Sequence, residues 1–294
     1  MNIFAAILCI ILFSLTVPFT RMAALETSAE SIIFMRLLGA SIICIIAAIL
    51  DGWIPPKTSL KGILFTALGS VIGFASMTAF AMREVPAAHG AVALAALPIV
   101  TASYAVLRDR LKPGKRFWGF AFFGTFLSFG YFLTTKIHRA HTGDIYLLFA
   151  IISASFGYVE GGRLSRVHGG RRVMTWAVIA TVPIVLPLAI IYTSQSIFVF
   201  KNFTLSTWVS LLYLALISQS LGMFLWFKVL AKGPMEKIAL VQLLQPFFTL
   251  LGSIIFLNES VAWSTWLIAF IVGLCILGAN REKASLNHRY QASR

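Results

Sequence analysis

Two charged side chains interrupt stretches that are otherwise apolar: Arg36 within 31–50 and Glu160 within 145–162. A guanidinium kept from water can grip a carboxylate through two parallel hydrogen bonds, so Arg36 facing an internal cavity would anchor a substrate. The alternative is a snorkelling side chain that fixes helix depth. At the membrane centre an arginine costs roughly 2.5–3.5 kcal/mol on insertion scales, and less where its head reaches water. Glu160 offers proton chemistry, because an ionisable carboxyl within a span is a candidate to load and release a proton. Arg163 stands at i,i+3 and offers a purely structural partner instead.

Amides and prolines form a second group. Gln219, Gln242 and Gln245 lie in apolar stretches, where an amide must find a partner. Gln242 and Gln245 share a helix face, and Pro246 cannot donate to the carbonyl four residues back, at Gln242. These groups suit a substrate pathway, or equally hydrogen bonds that hold a bundle together. Pro86, Pro98, Pro234 and Pro246 are expected helix breaks or hinges. No Walker A pattern and no His-Glu-x-x-His occurs, and the three cysteines (Cys9, Cys44, Cys275) give neither a disulfide framework nor metal-ligand spacing. The expected protein is not an enzyme, with no catalytic residues, no metal and no cofactor.

The elements that must position these groups follow from composition. The 294 residues are 59% hydrophobic and 12% charged, about half the usual charge of a soluble chain. Their mean hydropathy is +0.89. Yet 24 Lys and Arg oppose 10 Asp and Glu, a formal +14. A membrane-spanning helix needs roughly 20 apolar residues. Stretches free of Asp, Glu, Lys and Arg fall at 1–20, 62–82, 85–107, 117–135, 173–200, 202–227, 238–258 and 260–280. With the two interrupted stretches, ten spans result.

Basic residues in short loops favour the cytoplasmic side. With ten spans and the N-terminus inside, eighteen of the 24 basic residues lie inside, including Arg108 to Arg116 and Arg163 to Arg172. Omitting the two interrupted spans leaves 14 inside and 10 outside. Ten spans with both termini cytoplasmic is the better reading, and the charge then sets topology rather than binding nucleic acid. All seven Trp, including Trp226, fall near expected span ends, as an interfacial aromatic belt requires. Gly69 and Gly73 form a GxxxG whose expected role is close packing within the bundle. His89 is expected at the outer interface.

The chain also repeats. AFAMREVPAAHGAVALAALP at 79–98 aligns with FKVLAKGPMEKIALVQLLQP at 227–246 at an offset of 148, pairing Pro86 with Pro234 and Pro98 with Pro246. Each half would hold five spans, an odd number, so the second half enters the membrane from the opposite face. The expected fold is an all-α integral membrane protein of ten transmembrane helices in two inverted five-helix repeats, 1–140 and 141–281, with a short cytoplasmic tail at 282–294.

The run GMFLWFKVLAKGPMEKIALVQLLQPFFTLLGSIIFLNE at 222–259 resembles the second-half signature of the EamA family of the drug/metabolite transporter superfamily. There a helix ends in a short Gly/Pro loop, the next carries a mid-span Pro, and an acidic residue closes it. VPAAHGAVALAALPIVTASYAVLRDR resembles the matching first-half segment, and GYVEGGRLSR at 157–166 is similar to a subgroup of bacterial members. One departure is that Pro98 precedes Asp109 by 11 residues whereas Pro246 precedes Glu259 by 13, so Asp109 is a poor counterpart of Glu259.

The resemblance implies an inner-membrane carrier, often an exporter of amino acids or other small metabolites. The expected function is secondary transport of amino-acid-like or drug-like metabolites by alternating access. Arg36, Gln219, Gln242 and Gln245 would line the pathway and Glu160 would couple protons. Partners would be a small-molecule substrate and the lipid bilayer, with monomer and homodimer both open. The rivals are a membrane-embedded enzyme and a non-transporting assembly or sensor protein.

Overall fold

The computed structural model describes residues 3–55, 59–110, 142–195, 203–232 and 241–260 continuously, with scattered positions between and after them. Every regular element among them is helical: α1 (Phe4–Glu26), α2 (Ala29–Leu50), α3 (Leu60–Glu84), α4 (Ala87–Asp109), α5 (Thr142–His168), α6 (Gly170–Ile179), α7 (Val182–Gln195), α8 (Leu205–Ala231) and α9 (Gln245–Leu257). Helices α1 to α5 and α8 are each long and apolar enough to cross a membrane. Helices α6 and α7, bent by 40°, make a seventh crossing if taken as one span. The expected spans at 117–135 and 260–280 lie largely outside the described residues; the positions that are described there, among them Phe122, Phe126, Trp263 and Leu267, are helical.

Burial is arranged for lipid rather than water. On α2, Ile42, Ile46 and Ile49 are 61%, 51% and 72% exposed, while Arg36 is 1% exposed. Exposed apolar rows around a buried polar residue reverse the soluble pattern and place the outer face in hydrocarbon. The protein is a multi-pass integral membrane protein, all-helical among the described residues.

Helix α5 is the central element, packed against α3, α4, α6 and α8. Close approach makes this possible: a Cβ at Gly157 would overlap the Ser70 nitrogen and stand 2.9 Å from the Gly69 carbonyl carbon. The Gly69 motif therefore packs inside the bundle, as small residues do when helices meet without a hydrophobic driving force. Trp226 corrects the interfacial reading. It is fully buried, with edge-to-face contacts to Phe13 (6.1 Å) and Tyr158 (5.9 Å).

Polar contacts gather at two opposite ends. At the first end Glu26 accepts from Thr204 and Thr207, Ser28 meets Tyr192, and Glu259 reaches Ala87 and Ala88. At the second, Asp51 pairs with Arg171, Asp109 with Arg163, and Ser59 meets His168. Successive helices α1 to α4 run alternately between the ends. Helix α4 finishes at the second end and α5 begins at the first.

Prolines break the ladders at definite points. Pro18 has no amide hydrogen for the Ser14 carbonyl, and the helix interrupts at Leu15. Pro183 likewise cannot bond Ile179, where α6 gives way to α7. Pro98 and Pro246 follow short irregular turns: each is the second residue of a helical segment, Leu97–Asp109 or Gln245–Leu257, preceded by a 3-10 turn, Leu94–Ala96 or Gln242–Leu244. Both segments end in a left-handed residue, Arg110 (φ 51°) and Asn258 (φ 52°). All of these boundaries keep the offset of 148. Wide-turn π segments occupy Ala67–Gly73 in α3 and Tyr213–Gly222 in α8, which overlap at the same offset.

Candidate functional site

Arg36 lies seven residues into α2, ~10 Å along its axis. It does not snorkel. Its Nε donates to Gln219 Oε1 at 2.9 Å and its Nη2 to Ser218 Oγ at 3.4 Å. The guanidinium stands 6.0 Å from the centre of the Phe74 ring, and Nη1 has no hydrogen-bond partner. Gln219 is fully buried, and its Nε2 is likewise without a partner.

The elements that hold this group are the irregular ones. Ser218 and Gln219 belong to the π segment of α8, and Phe74 caps that of α3. Thr16, just after the Leu15 break in α1, shares a hydrogen bond of 2.8 Å with Ser218. Wide π turns are rare and recur at functional sites. Three such irregularities converge on one cation.

Gln242 and Gln245 form an adjoining group on the other side of the same break. Ser14 Oγ donates to the Gln245 carbonyl at 3.2 Å, as does Thr249 Oγ1 at 2.9 Å. Ser14 and Thr16 flank Leu15, so the interruption in α1 touches both groups. Gln242 is 1% exposed and neither atom of its side-chain amide has a hydrogen-bond partner. Its backbone carbonyl is not free as expected, because the 3-10 turn gives it the Gln245 amide. The polar promise of Gln242 lies in its side chain.

Glu160 is buried near the second end of α5. The expected contact with Arg163 is not made: Glu160 Oε1 accepts from Arg108 Nε at 2.6 Å and from the Tyr104 hydroxyl at 3.3 Å, both on α4. Arg163 lies 3.3 Å from Asp109 instead. Two α4–α5 ion pairs thus close this end.

Among the prolines, Pro86 stands at the head of the Ala87–Ala93 segment with φ −61°, while Pro234 lies outside the described residues. Glu259 finishes what Pro86 starts, its carboxylate accepting from Ala87 N at 3.1 Å and Ala88 N at 2.9 Å. His89, in the first turn of α4, is 2% exposed and bonds Asp144 in the first turn of α5 at 2.5 Å. A pocket of about 660 Å³ opens at the second end against α1, α6 and α8, with Leu12, Trp53, Leu221, Phe224 and Lys228 in its wall.

Sequence reasoning found Arg36 and Gln219 but missed Thr16, Ser218, Phe74 and Ser14. Hydroxyls within apolar spans were the available signal, since Ser and Thr serve there as interhelical bonds.

Comparison with known proteins agrees with this architecture. A family model described as the EamA-like transporter family matches residues 1–130 and 141–281. The chain is 33% identical over 276 residues to a Bacillus subtilis (strain 168) protein described as the uncharacterized transporter YdeK, covering 92% of this chain and 94% of that one. It also superposes on a solved crystal structure with a TM-score of 0.71 at 13% identity, over 98% of this chain and 97% of the other, a likeness of fold.

Proposed function

The chain belongs to the EamA-like transporter family of the drug/metabolite transporter superfamily, and from that premise we propose that this membrane transporter is a secondary carrier exporting small amphipathic metabolites by alternating access. The observation that carries the reading is Arg36, a buried cation enclosed by the irregular stretches of α1, α3 and α8. Secondary carriers bind cargo near the midplane where helices are interrupted, because unwound backbone and buried polar groups replace the cargo's water.

The proposed architecture is ten spans in two inverted five-helix repeats, 1–140 and 141–281, with a tail at 282–294. The offset of 148 shared by the 3-10 turns, the helices after them and their left-handed ends supports duplication. An additional span at 117–135 would join the second end of α4 to the first end of α5. The second end, rich in arginine, faces the cytoplasm of a bacterial inner membrane in this reading, as the basic-residue rule requires.

Arg36, Gln219, Gln242 and Gln245 line the pathway. Arg36 and Gln219 hold the polar part of the cargo, and the aromatic neighbours receive its apolar part. Pro86, Pro98, Pro234 and Pro246 set the helix breaks about which the halves rearrange. Glu160 couples the cycle to protons: protonation weakens its charge-assisted bond with Arg108 and opens the second end.

The test is an unbiased metabolite comparison between cells lacking and overproducing the protein, followed by flux of the responding compound in proteoliposomes. Export predicts intracellular accumulation on deletion, depletion on overproduction, and flux through reconstituted protein without ATP. A responding compound that is chemically converted rather than moved would make the protein an enzyme and end the carrier reading.

A further inference from the structure

Ten acidic residues are available to balance Arg36. Glu26, Asp51, Asp109, Asp144, Glu160 and Glu259 are engaged at the two ends of the bundle. Glu84 is exposed at the end of α3, and Glu30 begins α2, more than a turn from Arg36 and joined to it by no ion pair. Glu236 and Glu282 lie outside the described residues. Among the described residues the guanidinium therefore meets only neutral acceptors, Gln219 Oε1 and Ser218 Oγ.

A buried cation without a counter-charge carries a desolvation penalty, and arginine cannot escape it by losing its proton. The unfilled valences of Arg36 and Gln219 share one sign. Nη1 of Arg36 is an unused donor. Arginine Nε can only donate, so the Gln219 oxygen must face it, which leaves Nε2 as a second unused donor. Nη2 is held only by the long contact to Ser218. A site offering donors and a positive charge repels ammonium groups and metal ions, and is complementary to an oxyanion. Nη1, unpartnered, and Nη2, weakly held, present the paired donors that match the two oxygens of a carboxylate.

We propose that Arg36 binds the carboxylate of the transported compound, with Gln219 Nε2 as an auxiliary donor and the Phe74 ring beside the apolar part. This rests on the carrier reading and adds the chemical class of the cargo. Bound cargo supplies the missing charge, so the site discriminates against the same carbon skeleton carrying an amine or an amide in place of the carboxylate. An inorganic anion such as chloride presents similar charge without the paired oxygens, and the experiment separates the two.

Purified full-length protein is heated with sodium butyrate, sodium chloride or butylammonium chloride at equal ionic strength, alongside the folded variants Arg36→Gln and Arg36→Lys. Butyrate is expected to raise the melting temperature saturably above the chloride series, with butylammonium giving no increment. Arg36→Gln should lose the butyrate response, and Arg36→Lys should bind at least tenfold more weakly. Equal responses to butyrate and chloride would make this an inorganic-anion site and overturn the proposal. So would a butyrate response that survives in Arg36→Gln, or the absence of any response in wild type. The metabolite comparison reports separately on the carrier reading: an exported compound with no carboxylate would leave transport standing and overturn the carboxylate assignment.

Discussion

Arg36 Nε and Gln219 Oε1 lie 2.9 Å apart although 183 residues of chain separate them. The bond joins α2 to the π segment of α8, and thus the two halves of the chain, between two buried side chains. A hydrogen bond from a charged group is worth about 1.5–3 kcal/mol, more than the usual interhelical polar contact. It also orients the guanidinium, so the same contact that links the halves decides which edge is left for a ligand.

Replacing the cation should therefore stabilise the empty protein while disabling it. Arg36→Gln removes a buried charge that no carboxylate balances among the described residues, and is expected to raise the melting temperature and to reduce transport at least tenfold. Gln219→Leu leaves the charge in place and removes its best acceptor, so it should destabilise by about 1.5–3 kcal/mol. In the Arg36→Gln background that loss should largely disappear. A melting-temperature double-mutant cycle measures the coupling, and additive effects would mean that the bond contributes nothing.

Spans were legible because a charge-free stretch of roughly 20 residues matches the thickness of a bilayer and exceeds what most soluble cores bury. The facing of a residue within a span was not. Helix α2 carries apolar residues on its lipid face and its packed face alike, so Ile42 and Leu37 look alike in sequence although one is exposed and the other buried. Trp226 was misplaced for the same reason: closeness to a span end predicts an interface only if no neighbouring helix covers it. Glu160 was assigned its sequence neighbour Arg163, whereas α4 supplied Arg108 from 52 residues away. Prolines marked the 3-10 turns before α9 and within α4, but no residue type announces a π segment, which arises from packing between helices.

Severing the α4–α5 closure should change how transport responds to pH. Glu160→Gln removes the carboxylate that Arg108 and Tyr104 share. Because the Arg108 side chain is 44% exposed, the stability cost should stay near or below about 1 kcal/mol. If Glu160 carries the coupled proton, the variant's flux in vesicles loses its dependence on an imposed pH gradient. Unchanged flux and unchanged pH dependence would leave Glu160 a structural residue.

Glu259 tests a link between the last described helix and the start of α4. Its carboxylate satisfies two amide donors that begin a helix, where a negative charge is also favoured by the aligned peptide dipoles. Glu259→Ala should cost about 1–2 kcal/mol, within the range of lost helix caps. Glu259→Gln keeps one acceptor and should fall between wild type and Ala. If the Gln and Ala variants melt together with wild type, the cap is dispensable.

The tightest backbone contact in the bundle gives the sharpest steric prediction. A Cβ at Gly157 would overlap the Ser70 nitrogen and stand 2.7 Å from its Cβ, whereas a Cβ at Gly119 would meet nothing within 4 Å. Ser70 cannot yield by a rotamer change, since the obstacle is main chain at the π segment of α3. Gly157→Ala must therefore push α5 from α3, at a cost of about 3 kcal/mol or more on the scale of overpacked cores. Gly119→Ala should be neutral or slightly stabilising, because alanine suits a helix better. Melting curves of the two purified variants decide the matter. The displacement would also move α3 at Phe74, which stands beside Arg36, so any Gly157→Ala protein that still folds should have weakened carboxylate binding, while Gly119→Ala keeps it.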